Sequence, residues 1–236
     1  MASRMRRTCP EETDILLWAN ELESLAGHAE DEARKIHRLE NELTSARLDL
    51  RLAEHHLLAS EARGQDARHT ALHDPLTGLP NRHSFEEISA EVLAGHATRT
   101  REFGLLYIDL DGFKAINDTH GHSIGDELLK VVGSRLSHGV RSQDSVCRHG
   151  GDEFVCLLLD IQDTEQVAAI ADKLFAAVSA PCQIGPLAVS VAPSIGIALY
   201  PGDGATLVEL LRNADCAMFR AKLLRLRHVF FGDSSV

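Results

Sequence analysis

The strongest structural signal in this chain is VCRHGGDEFVCLLL, at residues 146–159. Two apolar runs flank the glycines Gly150 and Gly151, and this pattern predicts two β-strands joined by a tight turn. The acids Asp152 and Glu153 follow the glycines directly. The pattern therefore predicts a hairpin and leaves two uses for its acids, a solvated turn or a binding site.

Strands and helices alternate on both sides of this hairpin. Before it, an apolar run over 103–110 predicts a buried strand, and apolar spacing over 123–137 predicts a helix. The order β-α-β-β-α-β predicts an α+β fold of the ferredoxin-like or palm type, with a mostly antiparallel sheet and helices on one face. After the hairpin the patterns predict a helix at 164–179, an extended segment at 187–199, a helix at 206–224 and a strand at 229–231.

A second acidic position, Asp109-Leu110-Asp111, ends the first predicted strand. A buried strand that ends in carboxylates, opposite a Gly-Gly-acid-acid turn, suits Mg²⁺, which takes hard oxygen ligands and keeps positions for phosphate and water. The glycines allow a ligand to approach the backbone closely. Such a site can polarise a phosphoryl group and activate an attacking hydroxyl. The alternative is a solvated β-turn.

The N-terminal part of the chain has a different pattern. Residues 11–62 contain one glycine and no proline, and an apolar residue stands at every seventh position from Ile15 to Leu57. A seam of this period predicts a parallel coiled-coil dimer over residues 1–68, ahead of a second domain at 69–236. A helical hairpin and a helix lying on the second domain are the alternatives. The histidines of this part match no tight set of metal ligands: His28, His37, His55 and His56.

Composition limits the compartment and the partners. The formal net charge of -11 argues against a protein that coats nucleic acid, because phosphate backbones are held mainly by Lys and Arg. Five cysteines form no CxxC pair, which suits a reducing compartment. No run approaches the roughly 20 apolar residues of a membrane helix, and the basic start lacks the apolar stretch of a signal peptide. We therefore expect a cytoplasmic protein without a nucleic-acid or membrane partner.

The motifs together resemble one family. Residues 150–154 spell GGDEF, the signature of the diguanylate cyclases, and the resemblance covers residues 71 to about 231. It implies a cyclase that condenses two GTP molecules into cyclic di-GMP and releases two pyrophosphates. Further blocks agree with the family in order and spacing: DPLTGLPNR at 74–82, DLDGFK at 109–114, Asn117-Asp118, Gly121-His122, Gly125-Asp126, Asn213-Ala214-Asp215 and Ala221-Lys222.

The resemblance also implies roles for the acids of the motifs. Asp109, the backbone carbonyl of Leu110 and Asp152 would hold Mg²⁺, with Mn²⁺ as a substitute, against the phosphates of GTP. Asp152 would help to deprotonate the ribose 3′-hydroxyl, and Glu153 would complete the acidic turn. Gly150 and Gly151 would let the substrate approach.

The remaining matches are implied to bind the nucleotide. Asn117 and Asp126 would bond the guanine edge, and Asp126 can accept from guanine N–H groups that adenine does not present, so GTP is preferred to ATP. His122 would lie near the nucleotide, and Lys114 and Lys222 would offset the charge of the triphosphate.

The reaction requires two copies of the chain, because the 3′-oxygen of each GTP attacks the α-phosphate of the other. We therefore expect a homodimer that meets through both the coiled coil and the catalytic domains. Arg141 and Asp144 resemble the RxxD site at which the family's product inhibits, with a surface ion pair as the alternative.

One departure from the family pattern bears on activity. Leu226 stands where the family has an arginine that contacts phosphate, between Arg225 and Arg227. Either a neighbouring arginine substitutes for it, or triphosphate binding is weakened. The alternative function is an inactive GGDEF domain that signals by binding GTP or cyclic di-GMP.

Overall fold

A computed structural model describes residues 12–96 and 102–233, without the side chains of 12–14, 16, 58–69 and 96. Internal contacts divide the chain into two units, at 1–65 and 66–236. The elements run in the order α1 (Glu12–Leu72), α2 (Arg82–His96), β1 (Glu102–Asp111), α3 (Phe113–His120), α4 (His122–Gly139), β2 (Ser145–Gly150), β3 (Glu153–Ile161), α5 (Thr164–Ser179), β4 (Cys182–Ile184), β5 (Leu187–Val189), β6 (Ala192–Tyr200), α6 (Leu207–Leu224) and β7 (His228–Phe230).

Helix α1 is unbroken over 61 residues, about 90 Å at the rise of an α-helix. The predicted long N-terminal helix is thus confirmed, and the hairpin alternative is wrong because no turn interrupts the helix. Large apolar side chains of α1 are exposed, with more than half of their surface in solvent. They include six residues of the predicted seam, Ile15, Leu22, Ile36, Leu43, Leu50 and Leu57, and also Trp18, Leu25 and Leu39.

The main sheet has five strands in the order β2-β3-β1-β6-β7. All neighbouring pairs are antiparallel except β6 and β7, which are parallel. The first four strands in this order have the arrangement of a ferredoxin-like βαββαβ unit. The α+β fold is therefore confirmed, and a small separate sheet, β4-β5, precedes β6.

Helices cover both faces of the sheet, so the expectation of helices on one face is wrong. One core cluster joins Leu106 and Ile108 of β1 to side chains of α4 and α5. The other joins Leu105 and Tyr107 of the same strand to α2 and α6. Because successive side chains of a strand point to opposite faces, the unbroken apolar run of β1 is buried on both sides.

Three further differences concern short elements. Residues 113–120 form a helix, α3. It ends at Gly121, because the φ of 86° at this glycine is incompatible with a right-handed helix. The predicted extended segment at 187–199 is two strands, β5 and β6. In the hairpin, Gly150 is the last residue of β2, and the turn consists of Gly151, at a φ of 49°, and Asp152.

Within residues 12–96 and 102–233, no helix has the length and apolar character needed to cross a membrane. The four described cysteines are free, and Cys147 and Cys156 are buried.

Candidate functional site

The pairing of β1 with β3 brings the predicted acids together at one end of the sheet. Asp109 is the register partner of Glu153, so both carboxylates lie on the same sheet face. Asp152 belongs to the turn that precedes Glu153. Leu110 follows Asp109 with a fully buried side chain, which anchors the strand end in the core. We call Asp109, Asp111, Asp152 and Glu153 the acidic cluster.

Lys222 of α6 provides the cluster with a positive charge. Its ammonium donates a hydrogen bond to Asp109 and lies 3.8 Å from a carboxylate oxygen of Asp111. The hydrogen bond to Asp109 raises the pKa of Lys222, which therefore stays charged. Asp111 also accepts from the hydroxyl of the buried Ser194, at 3.0 Å.

The remaining acids of the cluster hold their negative charge unfavourably. Burial raises the pKa of Asp152, and the nearby Asp109 carboxylate raises it further. Burial also raises the pKa of Glu153, although a hydrogen bond from Tyr107 opposes this shift. A cation bound at the cluster would relieve this repulsion.

The donor set fits Mg²⁺ bound mainly through a substrate. The described part of the chain holds no group of three or more His, Cys, Asp and Glu side chains arranged as a metal site. Mg²⁺ commonly takes only one or two protein carboxylates and fills its other positions with water and phosphate oxygens. Asp109 and Asp152, together with the Leu110 carbonyl, would be a set of that kind.

An ion pair fixes the turn that carries Asp152. Arg148 of β2 donates twice to the carbonyl of Gly151, at 3.0 and 2.7 Å, and twice to the carboxylate of Asp74, at 3.0 and 3.1 Å. Asp74 accepts in addition from the amide and hydroxyl of Thr77. No role was predicted for Arg148, and its only signal in the sequence was its place two residues before the paired glycines.

A second group of predicted residues lies on α3 and α4, just beyond the acidic end of β1. The side-chain oxygen of Asn117 is buried and has no hydrogen-bond partner among the described residues. Gly125 packs against it so closely that an added Cβ would lie 1.9 Å from this oxygen. A buried amide oxygen without a partner is rare in proteins and is a position that a ligand donor can fill.

The other predicted nucleotide ligands are exposed. Asp126 follows Gly125 on α4 and therefore lies next to the contact between Gly125 and Asn117. Lys114 stands in the first turn of α3, and His122 begins α4. The structure thus places Asn117, Gly125 and Asp126 together, with Lys114 and His122 on the same helix pair.

The RxxD residues lie in the connection between α4 and β2. The carboxylate of Asp144 accepts from the backbone amides of Arg141, at 2.9 Å, and Leu159, at 3.0 Å. The guanidinium of Arg141 is exposed and forms no ion pair with the described residues. The alternative of a surface ion pair between these two side chains is therefore wrong.

Comparison with known proteins agrees with this geometry. The family model described as diguanylate cyclase, GGDEF domain matches residues 71–226. The bifunctional diguanylate cyclase/cyclic di-GMP phosphodiesterase MucR of Pseudomonas aeruginosa is 48% identical over 152 residues, 64% of this chain and 22% of the relative. The diguanylate cyclase TpbB, from the same species, is 40% identical over 167 residues, 69% of this chain and 38% of the relative.

A solved structure supports the same assignment. The solved structure of a TpbB mutant from Pseudomonas aeruginosa that comprises only the GGDEF domain is 40% identical, with a TM-score of 0.63, and the match covers 64% of this chain and 89% of that chain. The chain spans only about a fifth to two fifths of the length of the two curated relatives. Its family model covers well over half of the chain, and so the chain belongs to the diguanylate cyclase GGDEF-domain family.

Proposed function

We propose that this chain is a diguanylate cyclase, which condenses two GTP molecules into cyclic di-GMP with release of two pyrophosphates. The observation that carries the proposal is the acidic cluster at the end of β1, followed along the chain by the amide oxygen of Asn117, which has no hydrogen-bond partner in the part of the chain that the structure describes. The first can hold a metal-bound phosphate, and the second can bind the base of the same nucleotide.

At the phosphate end, Asp109, Asp152 and the Leu110 carbonyl would hold Mg²⁺ or Mn²⁺. When bound, the ion supplies charge neutralisation and polarises the phosphoryl group. The carboxylate of Asp152 would also accept the proton of the attacking ribose 3′-hydroxyl. Glu153 completes the acidic turn, while Lys222 and Lys114 offset the charge of the triphosphate.

At the base end, the amide of Asn117 and the carboxylate of Asp126 bond guanine. A carboxylate accepts from the two N–H groups that guanine presents on one edge, and adenine does not present this pair. Selectivity for GTP therefore rests on Asp126.

The reaction needs a second copy of the chain, and α1 is the element that would supply it. Its seam exposes large apolar side chains that a second α1 would bury. Linking two catalytic domains raises their local concentration, so that each nucleotide meets the other. The product would inhibit by binding at Arg141, whose guanidinium can fork onto a phosphate or a guanine.

The direct test is to incubate the purified chain, stripped of bound cyclic di-GMP, with GTP and Mg²⁺ and to separate the products by chromatography. We expect cyclic di-GMP from the native chain and none from Asp152→Ala. ATP in place of GTP should give no product.

The dimer is tested through the seam of α1. The double variant Leu22→Asp, Leu43→Asp places charges in the seam and should give a monomer by light scattering, with cyclase activity lost at low protein concentration. Leu48→Asp is the matched control, because Leu48 is 59% exposed on the same helix but lies outside the seam. Full activity of the double variant as a monomer would overturn the role of α1.

Two observations favour a second function. Lys222 is paired with Asp109, and Leu226 replaces the arginine that the family resemblance leads us to expect. Both features weaken the case for productive triphosphate binding. A chain that binds GTP or cyclic di-GMP but forms no product would be an inactive GGDEF domain that signals by binding.

A further inference from the structure

A pocket of about 470 Å³ opens beside the acidic cluster at the end of α6. Its volume lies within the range of roughly 300 to 1,000 Å³ that ligand pockets span. Three cationic side chains line it, together with Asp111 of the cluster: Lys222, Arg225 and Arg227. A pocket so rich in positive charge is suited to an anion.

The three cations are not equally available. Lys222 is bonded to Asp109 and lies near Asp111. Arg227 lies 3.7 Å from the carboxylate of Asp172 on α5, and its guanidinium stands 5.4 Å from the centre of the Phe175 ring. Arg227 therefore already has both an acid and an aromatic face to contact.

Arg225 has no such contact. Its side chain is exposed, lines the pocket and forms no ion pair with the described residues. Its backbone is held firmly, because its amide donates to the carbonyls of Ala221 and Lys222 and the next amide, of Leu226, donates to Ala221. A guanidinium that forms no ion pair with the described residues, on a backbone that is held in place, is well suited to bind an anion.

The backbone conformation of Arg225 adds a second observation. Its φ of 55° is in the left-handed region, which costs an L-residue about 1 kcal/mol and which glycine adopts freely. The helix end would therefore be served better by glycine, and helix capping does not explain an arginine here.

We infer that Arg225 binds the terminal phosphates of GTP in this pocket and holds the pyrophosphate group until it leaves. The inference rests on the proposed function. It also states which residue takes the place of the phosphate-contacting arginine that Leu226 replaces. Of the two neighbouring arginines, Arg225 substitutes for the missing one, while Arg227 forms the pocket wall with Phe175. The ligand class is a di- or triphosphate group with its metal ion.

The test is Arg225→Gly, measured by calorimetric titration of the full chain with 3′-deoxy-GTP, GMP and inorganic pyrophosphate in Mg²⁺. Because 3′-deoxy-GTP lacks the attacking hydroxyl, it measures the affinity for GTP without turnover. We expect the affinity for GTP and for pyrophosphate to fall at least tenfold, and the affinity for GMP to stay within twofold. The Tm should not fall, since glycine relieves the left-handed backbone. Arg225→Lys should recover part of the affinity for GTP.

Lys130→Ala is the control for the loss of one positive charge, since Lys130 is an exposed residue of α4 paired with Glu127. It should leave all three affinities unchanged. Unchanged GTP affinity in Arg225→Gly, or an equal fall for GMP, would overturn the inference while native cyclase activity upholds the proposed function. A native chain that binds GTP no better than GMP and makes no product would overturn both.

Discussion

Arg148 and Asp74 form a two-bond ion pair, at 3.0 and 3.1 Å, across 74 residues of sequence. The pair is mostly shielded from solvent, with side-chain exposures of 14% and 17%. The same guanidinium holds the carbonyl of Gly151, one residue before Asp152. The segment that follows α1 is thereby connected, through one side chain, to the turn that carries a proposed metal ligand.

Arg148→Gln should lower the free energy of unfolding by about 2 kcal/mol, the usual contribution of charge-assisted hydrogen bonds. It should also reduce cyclase activity, because the Gly151 carbonyl loses two donors. Urea denaturation of Arg148→Gln, Asp74→Asn and the double variant measures the coupling energy. Additive effects of the two substitutions would show that the pair does not act as a unit.

The pH dependence of this coupling follows from Asp74. Burial alone would raise the pKa of Asp74, but hydrogen bonds from Thr77 and Arg148 outweigh burial and lower it below 3.8. A carboxyl group with a lowered folded pKa stabilises the protein above its ordinary pKa. The coupling energy should therefore be constant at neutral pH and disappear as the pH falls through the folded value, below 3.8.

Asp152→Asn should raise the Tm of the metal-free protein while it abolishes activity. The pKa of Asp152 lies above its ordinary value of 3.8, so at neutral pH the folded state holds this charge less favourably than the unfolded state does. Solvent screening limits the gain to less than about 1 kcal/mol, or up to about 4 °C. Calorimetry with and without Mg²⁺ measures it.

The sign of this effect can be checked by pH. The increase in Tm caused by Asp152→Asn should grow as the pH rises from 3.8 through the folded pKa of Asp152. It should vanish at lower pH, where Asp152 is protonated in both the folded and the unfolded state. Mg²⁺ should raise the Tm of the native chain more than that of the variant. Glu91→Gln, at an exposed site on α2, should change neither quantity. A lower Tm in metal-free Asp152→Asn would contradict the unfavourable charge.

The elements with long periodic patterns could be predicted from the sequence. Helix α5 occupies the predicted residues 164–179, because sixteen residues give a clear helical period. The eight residues of α3 and the three-residue strands β4 and β5 are too short to show a period. Burial of both sheet faces did have a signal, the unbroken apolar run of β1, which is typical of a doubly covered strand.

The site was predictable only where one motif carries it. Asp109 and Asp152 could be proposed as site residues because each follows an apolar run or a glycine pair. Ser194 bonds Asp111 across 83 residues of sequence, and that contact depends on the register of β6 against β1. The position of the Arg148 guanidinium likewise depends on a distant partner, Asp74, and no local sequence pattern predicts such a contact.

Gly125→Ala should reduce guanine binding with little effect on folding. The added methyl group would lie 1.9 Å from the side-chain oxygen of Asn117, which must therefore rotate away. The loss of one hydrogen bond to the base should weaken GTP affinity about tenfold. Alanine is the better helix former by about 1 kcal/mol, which offsets the crowding in the free energy of unfolding.

Fluorescence titration with GTP and ATP would measure this loss and the expected decrease in the preference for GTP. Gly133→Ala is the matched control, since Gly133 is two turns further along α4 and contacts Leu79 instead. Unchanged GTP affinity in Gly125→Ala would mean that Asn117 does not bind the base.

Substitutions in the RxxD motif should separate stability from product inhibition. The carboxylate of Asp144 accepts two backbone amides, from Arg141 and Leu159, so Asp144→Ala leaves two donors without partners and should cost about 2 kcal/mol. The guanidinium of Arg141 is exposed, so Arg141→Ala should change the free energy of unfolding by less than about 0.5 kcal/mol. Cyclase rates measured against added cyclic di-GMP, together with urea denaturation, distinguish the two substitutions.

We expect Arg141→Ala to fold normally and to keep its rate in product concentrations that slow the native chain. Native-like inhibition of Arg141→Ala would place the inhibitory site elsewhere, because a cyclic dinucleotide held at this motif needs the guanidinium to meet its phosphate or guanine.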